Sequence, residues 1–127
     1  MGYDVELVQI PGQPDDAFPM EPGQAAKSRG TAVPFTDPAR VRELLLGMSG
    51  CKPGPGESVD FLGKGLSYAR ISVRADAIHV ENNASPRDLL TIHRELKKTW
   101  PDLRILDLQS RQLHSAASFE AWWNRPL

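Results

Sequence analysis

The stretch 59–123 constrains the fold more than any other part of this chain, because strand and helix patterns follow one another there in a fixed order. Strand patterns cover 59–62, 66–74 and 77–82: Ile71 and Val73 alternate with Ser72 and Arg74, and Ile78 and Val80 with His79 and Glu81. Strict alternation describes a strand with one buried and one wet face. Ala75-Asp76 is the expected tight reversal between the last two. A helix then opens at Ser85-Pro86, with Asp88 in the capping-box position. Leu89, Ile92, Leu96 and Trp100 line one side of it, and Pro101 ends it. Leu103, Ile105, Leu106 and Leu108 put apolar residues on both phases of the next strand, which suits a central place in a sheet. A short edge piece at 112–114 and a last helical turn carrying Phe119, Trp122 and Trp123, capped by Ser115 or Ser118, complete the run.

The first half is less regular. Tyr3, Val5 and Leu7 alternate with Asp4 and Glu6 as another strand, stopped by Pro11. The segment 11–35 holds five prolines and three glycines, and reads as a long loop with Phe18, Met20, Val33 and Phe35 as apolar anchors. A loop of that length in a compact domain is functional or unstructured. A helix capped by Thr36 or Asp37, with Pro38 in its first turn, carries Val41, Leu44, Leu45 and Met48 in one stripe. Residues 51–57 read as a rigid turn-rich connector. The expected fold is therefore α+β in a single domain, 1–127. It is a mainly antiparallel four- to five-stranded sheet with two main helices on one face, plus a short C-terminal helix. A ferredoxin-like split βαβ core is its most specific form.

With 127 residues, 40% hydrophobic and 24% charged, the chain can bury one core without staples. The net charge of −1 supplies no field for nucleic acid or for a membrane surface. Arg87, Arg94, Lys97, Lys98 and Arg104 cluster, but Asp88, Glu95 and Asp102 interrupt them, so nucleic-acid binding is not expected. Residues 1–60 carry 5 basic and 9 acidic side chains and residues 61–127 carry 10 and 7, a mild asymmetry usable at an interface. Cys51 is the one cysteine, so no intrachain disulfide forms. No signal peptide or membrane span is visible, and a cytoplasmic location is expected.

No catalytic set emerges. His79 lies on the outward phase of its strand, His93 beside the helical stripe and His114 near an edge; no two have metal-ligand spacing, and Cys51 has no CxxC partner. No metal site and no cofactor are expected. Lys52 beside Cys51 could lower the thiol pKa, yet no base is identifiable. Gly63-Lys64 lacks the Ser or Thr and the upstream glycine of a phosphate loop, and Ser49-Gly-Cys-Lys52 meets S-x-x-K only in letters. Asn83-Ala-Ser85 has the letters of a glycosylation sequon, but Ser85 is better explained as a helix cap. Asp107 is expected to turn the chain into Gln109-Ser110-Arg111.

The residue types that make binding hot spots remain. Tyr68 and Arg70 share a strand face, Trp122 and Trp123 crowd the C-terminus, and Phe18 anchors the loop. Asp15 and Asp16 in that loop could address a basic surface, affecting on-rate more than affinity. These seven are the expected partner-binding residues. From Leu106-Asp-Leu-Gln-Ser-Arg-Gln-Leu-His-Ser115 through Phe119 to the two tryptophans, the chain resembles a tail found in small bacterial proteins. In these an Asp-x-Gln turn leads from a strand to a helix, and some are similar to immunity proteins that neutralise toxins of neighbouring bacteria. The full form of that turn, Asp-x-Gln-x-Gly, has Arg111 here in place of glycine. The resemblance implies a stoichiometric inhibitor of a toxin without an active site of its own. The competing reading is a small enzyme or ligand-binding protein, with loop 11–35 as a lid over a pocket containing His79 or His93. An exposed sheet edge after His114 would also allow a homodimer.

Overall fold

The protein is described by a computed structural model, at residues 4–65, 67–81 and 85–126. The expectations for Tyr3, Leu66, Asn82 and the Asn83-Ala84 pair lie outside those residues. The chain runs β1 (Val5–Gln9), a 3-10 turn (Asp15–Ala17), α1 (Pro22–Arg29), α2 (Pro38–Leu46), β2 (Cys51–Pro53), β3 (Val59–Leu62), β4 (Tyr68–Val73) and β5 (Ile78–Glu81). It continues through α3 (Pro86–Lys97), β6 (Leu103–Asp107), β7 (Leu113–His114) and α4 (Ala116–Trp123). All strands join one antiparallel sheet in the order β2-β3-β4-β5-β1-β6-β7.

The α+β class and antiparallel sheet agree with the sequence, but the sheet has seven strands rather than four or five. One addition is β2. Lys52, Pro53 and Gly54 carry turn chemistry, yet Cys51 to Pro53 pair along β3. As an edge strand, β2 needs partners on one side only, and Pro53 is tolerated there. The segment 11–35 also differs from a plain loop, since it contains α1. Pro22 opens this helix and Gly30 caps it, but Ala25 is its one buried residue, so no apolar stripe betrays it.

Register decides which side chains share a face. Val5 stands opposite Val80, Leu7 opposite Ile78 and Ile105, and Ile71 opposite Val59 and Val80. That face is covered by α2 through Val41 and Leu45, by α3 through Leu89, Ile92 and Leu96, and by α4 through Phe119. Each helix start is legible locally. Pro38 and Pro86 occupy first turns, where a missing N–H costs nothing, and the Ser85 and Ser115 hydroxyls accept from the N–H groups of Asp88 and Ser118. Trp100 closes the far end, edge-on to Phe35 with ring centroids 5.7 Å apart.

The second face is only half covered. Val8, Ile10, Phe18, Met20, Ala25, Ala77 and Leu113 form a smaller core there, beneath α1 and its flanking chain. Arg29 of α1 ties to Glu6 and Asp76 at 3.4 and 3.3 Å. The sheet edges are blunted. Met20 exchanges backbone hydrogen bonds of 2.8 and 3.1 Å with Leu113, occupying the outer side of β7, while β2 presents Lys52 and Pro53. A dimer built by extending the sheet past His114 would have to displace Met20. Among the described residues no helix is long and apolar enough to cross a membrane.

Candidate functional site

The part of the second face that α1 leaves bare is built from β3, β4 and β5. Asp60, Tyr68, Arg70, Ser72, His79 and Glu81 point there because Val59, Phe61, Ala69, Ile71, Ile78 and Val80 point to the helices. Asp60 gathers two donors on one oxygen: Arg70 Nε donates at 3.2 Å and the Tyr68 hydroxyl at 3.3 Å. Arg70 Nη2 also donates to the Tyr68 hydroxyl oxygen at 3.1 Å. The three side chains hold one another upright on the sheet. Beside them Leu62, cross-strand partner of Tyr68, is 51% exposed, one of two large hydrophobic residues so exposed among those described.

Further along the same face β5 meets β1. Asp4, His79 and Glu81 present one ligand atom each, all within 4.8 Å of one another. The His79 Nε2 stands 4.0 Å from Asp4 Oδ2 and 3.9 Å from Glu81 Oε2.

The other expected binding residues lie elsewhere. Asp15 pairs with Arg104, whose guanidinium rests over the Phe18 ring at 4.5 Å and whose Nη2 donates to the Gln13 carbonyl at 2.8 Å. The Arg104 hydrogen bond, reinforced by its charge, holds the Asp15 carboxyl below the usual range. Phe18 is buried, so it fastens the segment down, while the neighbouring Asp16 stays exposed. Trp122 and Trp123 stack edge to face at 5.5 Å on α4, which packs on the helix-covered side. Trp123 reaches Phe119, and Arg125 lies 4.1 Å over Trp122. The seven residues thus fall into separate places: Tyr68 with Arg70 on the bare face, Asp15 and Asp16 with Phe18 at the β6 end, and the tryptophans across the sheet.

Among the described residues no carboxylate holds His93. Its Nε2 donates to the Leu103 carbonyl at 2.7 Å inside the core, and burial pushes its pKa down, with the Leu103 bond opposing. His114 Nδ1 meets the Ser118 hydroxyl at 2.9 Å, and burial lowers this pKa as well, against Asp107 and Glu21. Burial pushes the Cys51 thiol up, opposite to what Lys52 beside it suggested, which is the direction of a packed and unactivated thiol. Asp107 makes the expected turn: Oδ1 accepts from the Gln109 N–H at 3.0 Å and Oδ2 from the Ser110 hydroxyl at 2.7 Å. Arg111, at the glycine position of the turn it resembles, has φ of +63°, the left-handed region that favours glycine.

On the opposite side a groove of about 590 Å³ runs between α2 and α3, floored by Leu44, Met48, Phe61 and Ile92. Its rim charges pair locally, Arg40 with Glu43 at 3.2 Å and Lys98 with Glu95 at 2.9 Å. The rim therefore carries no net charge of one sign to select a ligand.

The spacing of Tyr68 and Arg70 puts them on one face, but nothing in the sequence brings Asp60 or Leu62 beside them. Alternation within each strand was the available signal, and only the β3–β4 register turns it into a cluster. The convergence of Asp4 on His79 and Glu81 has no local signal at all. No family model, curated protein or solved structure matches this chain.

Proposed function

We propose that this chain is a non-enzymatic protein-binding module that engages its partner through the bare half of the sheet, around Asp60, Leu62, Tyr68 and Arg70. The observation that carries this reading is the Asp60–Tyr68–Arg70 network standing next to exposed Leu62 on the part of the second face that α1 leaves bare. Tyrosine and arginine dominate interface energetics, and side chains already held in place lose less freedom on binding. The partner class is a bacterial toxin, as the turn at Asp107–Arg111 and the tail after it imply by resemblance, and inhibition would be stoichiometric.

The underlying architecture is a ferredoxin-like core with additions on both sides. Strands β1 and β4 flank β5 and are linked through α2, while β5 and β6 flank β1 and are linked through α3. Two interleaved split βαβ units of this kind support that reading. The hairpin β2–β3 extends one side, and β7 with α4 the other.

The test is co-purification of the tagged protein from a lysate of its native host at moderate salt, comparing wild type with a Tyr68→Ala/Arg70→Ala double variant. One toxin-like partner at near-equal stoichiometry, lost in the double variant, supports the reading. A partner retained by the variant removes this surface from it, and the absence of any partner removes the binding reading itself.

A further inference from the structure

We propose that Asp4, His79 and Glu81 form a binding site for a divalent transition cation of the zinc type. Strand pairing creates the site. Val5 stands opposite Val80 and Glu6 opposite His79, so continuing the register sets Asp4 across from Glu81 on the same side of the sheet. Two carboxylates facing each other across strands repel, and a cation between them reverses the sign of that interaction. His79, two residues from Glu81 and on the same face, sends Nε2 toward both, 4.0 Å from Asp4 Oδ2 and 3.9 Å from Glu81 Oε2. Its Nδ1 is buried and has no hydrogen-bond partner among the described residues, so Nε2 is the ring nitrogen that can act.

The geometry is close to what coordination requires. Zinc bonds of roughly 2.0–2.2 Å to nitrogen and oxygen put tetrahedral ligand atoms about 3.3–3.5 Å apart. The His79 nitrogen must come roughly half an ångström closer to each carboxylate oxygen, and the two oxygens, within 4.8 Å of each other, must close by up to roughly 1.5 Å. Glu81, with its side chain 46% exposed, can close by rotation, the Asp4 side chain is 38% exposed, and His79, at 15%, stays anchored to the sheet. Among the described residues this is the one trio of His, Cys, Asp or Glu side chains placed to do so. One neutral imidazole and two carboxylates balance a divalent charge, and they suit zinc, cobalt or manganese better than soft monovalent copper. Three protein ligands leave a fourth position open to water or to a group from elsewhere. The inference is independent of the partner reading, since Asp60, Tyr68 and Arg70 take no part in it.

Calorimetric titration of the purified protein with zinc chloride in a non-chelating buffer near neutral pH tests it, alongside cobalt absorption spectra. The expected result is one ion per chain, a rise in Tm with added zinc, and affinity lost by about tenfold or more in His79→Ala. The near-isosteric Asp4→Asn and Glu81→Gln variants keep the test decisive where His79→Ala fails to fold. Cys51→Ser should bind as wild type does. Binding that survives the ligand substitutions is adventitious zinc elsewhere on the chain and overturns the proposal. So does the absence of zinc, cobalt and manganese binding up to millimolar metal.

Discussion

Arg104 and Asp15, 89 positions apart, close the N-terminal segment onto the sheet. The arginine is only 5% exposed and has Phe18 packed over its guanidinium, whereas the aspartate is 68% exposed. The two partners therefore contribute unequally. Arg104→Ala removes packing as well as charge and should cost about 2 kcal/mol, while Asp15→Asn should cost under about 1 kcal/mol because solvent screens the carboxylate. Since the folded Asp15 titrates below its ordinary 3.8, its contribution is present above that value and disappears as pH falls through the lowered one. Urea unfolding of wild type and Asp15→Asn should therefore differ at pH 6, and the difference should shrink as pH falls from about 4 toward the lowered value.

Buried neutral histidines make acid destabilising earlier than the carboxylates do. His93 and His114 both titrate below the ordinary 6.5 when folded, so the unfolded chain takes up protons first. Stability is full above 6.5 and falls as pH drops from there toward the lowered folded values. Each group contributes a slope of up to about 1.4 kcal/mol per pH unit in that window. His93→Gln, which keeps a donor near the Leu103 carbonyl, should flatten the slope even where it lowers stability at neutral pH. A pH series of unfolding midpoints that is as steep in the variant as in wild type would contradict this.

Ser85 is both cap and strut. Its hydroxyl accepts from the Asp88 N–H at 3.2 Å, and its own N–H donates to the Ser67 hydroxyl oxygen at 3.1 Å, while the Ser67 hydroxyl donates to the Asp88 carboxylate. Ser85→Ala should cost about 1 kcal/mol, readable as a lower Tm. Ser115→Ala, which loses the 3.1 Å bond from the Ser118 N–H, should fall in the same range.

Arg111 holds a left-handed backbone at the end of the Asp107 turn. Arg111→Gly removes the steric cost of that conformation and adds entropy to the unfolded chain. The balance should raise stability by roughly 0.5–1 kcal/mol. A variant that melts at a lower temperature than wild type would show that the arginine side chain does more at this turn than occupy it.

The helix-facing core was readable because it rests on periodicity. Leu89, Ile92 and Leu96 on α3 and Val41 and Leu45 on α2 are buried as their spacing predicts. Alternation likewise placed Ile71, Ile78 and Val80 inward. What escaped was whatever depends on pairing between distant segments. β2 exists because β3 lies beside it, and α1 docks through Ala25 and the reach of Arg29 rather than through a stripe of its own. The same holds for the candidate sites. Tyr68 and Arg70 are two apart and could be matched by eye, but Asp60 joins them only through register, and Asp4 reaches His79 only across β1 and β5.

The place of β1 in the strand order has a consequence for how the chain comes together. It is the earliest strand among the described residues, yet it sits between β5 and β6, which come from the second half. During synthesis residues 5–9 therefore have no strand partner on either side until β5 has emerged, and keep one side unsatisfied until β6 follows. Contacts this distant in sequence slow folding, because the loops between them must close before any pairing is gained. Folding in stages from the N-terminus is thus closed to this molecule: a nascent chain halted before Leu103 has a sheet with an open seam, and the apolar strand edges along that seam are where aggregation or a chaperone would find it.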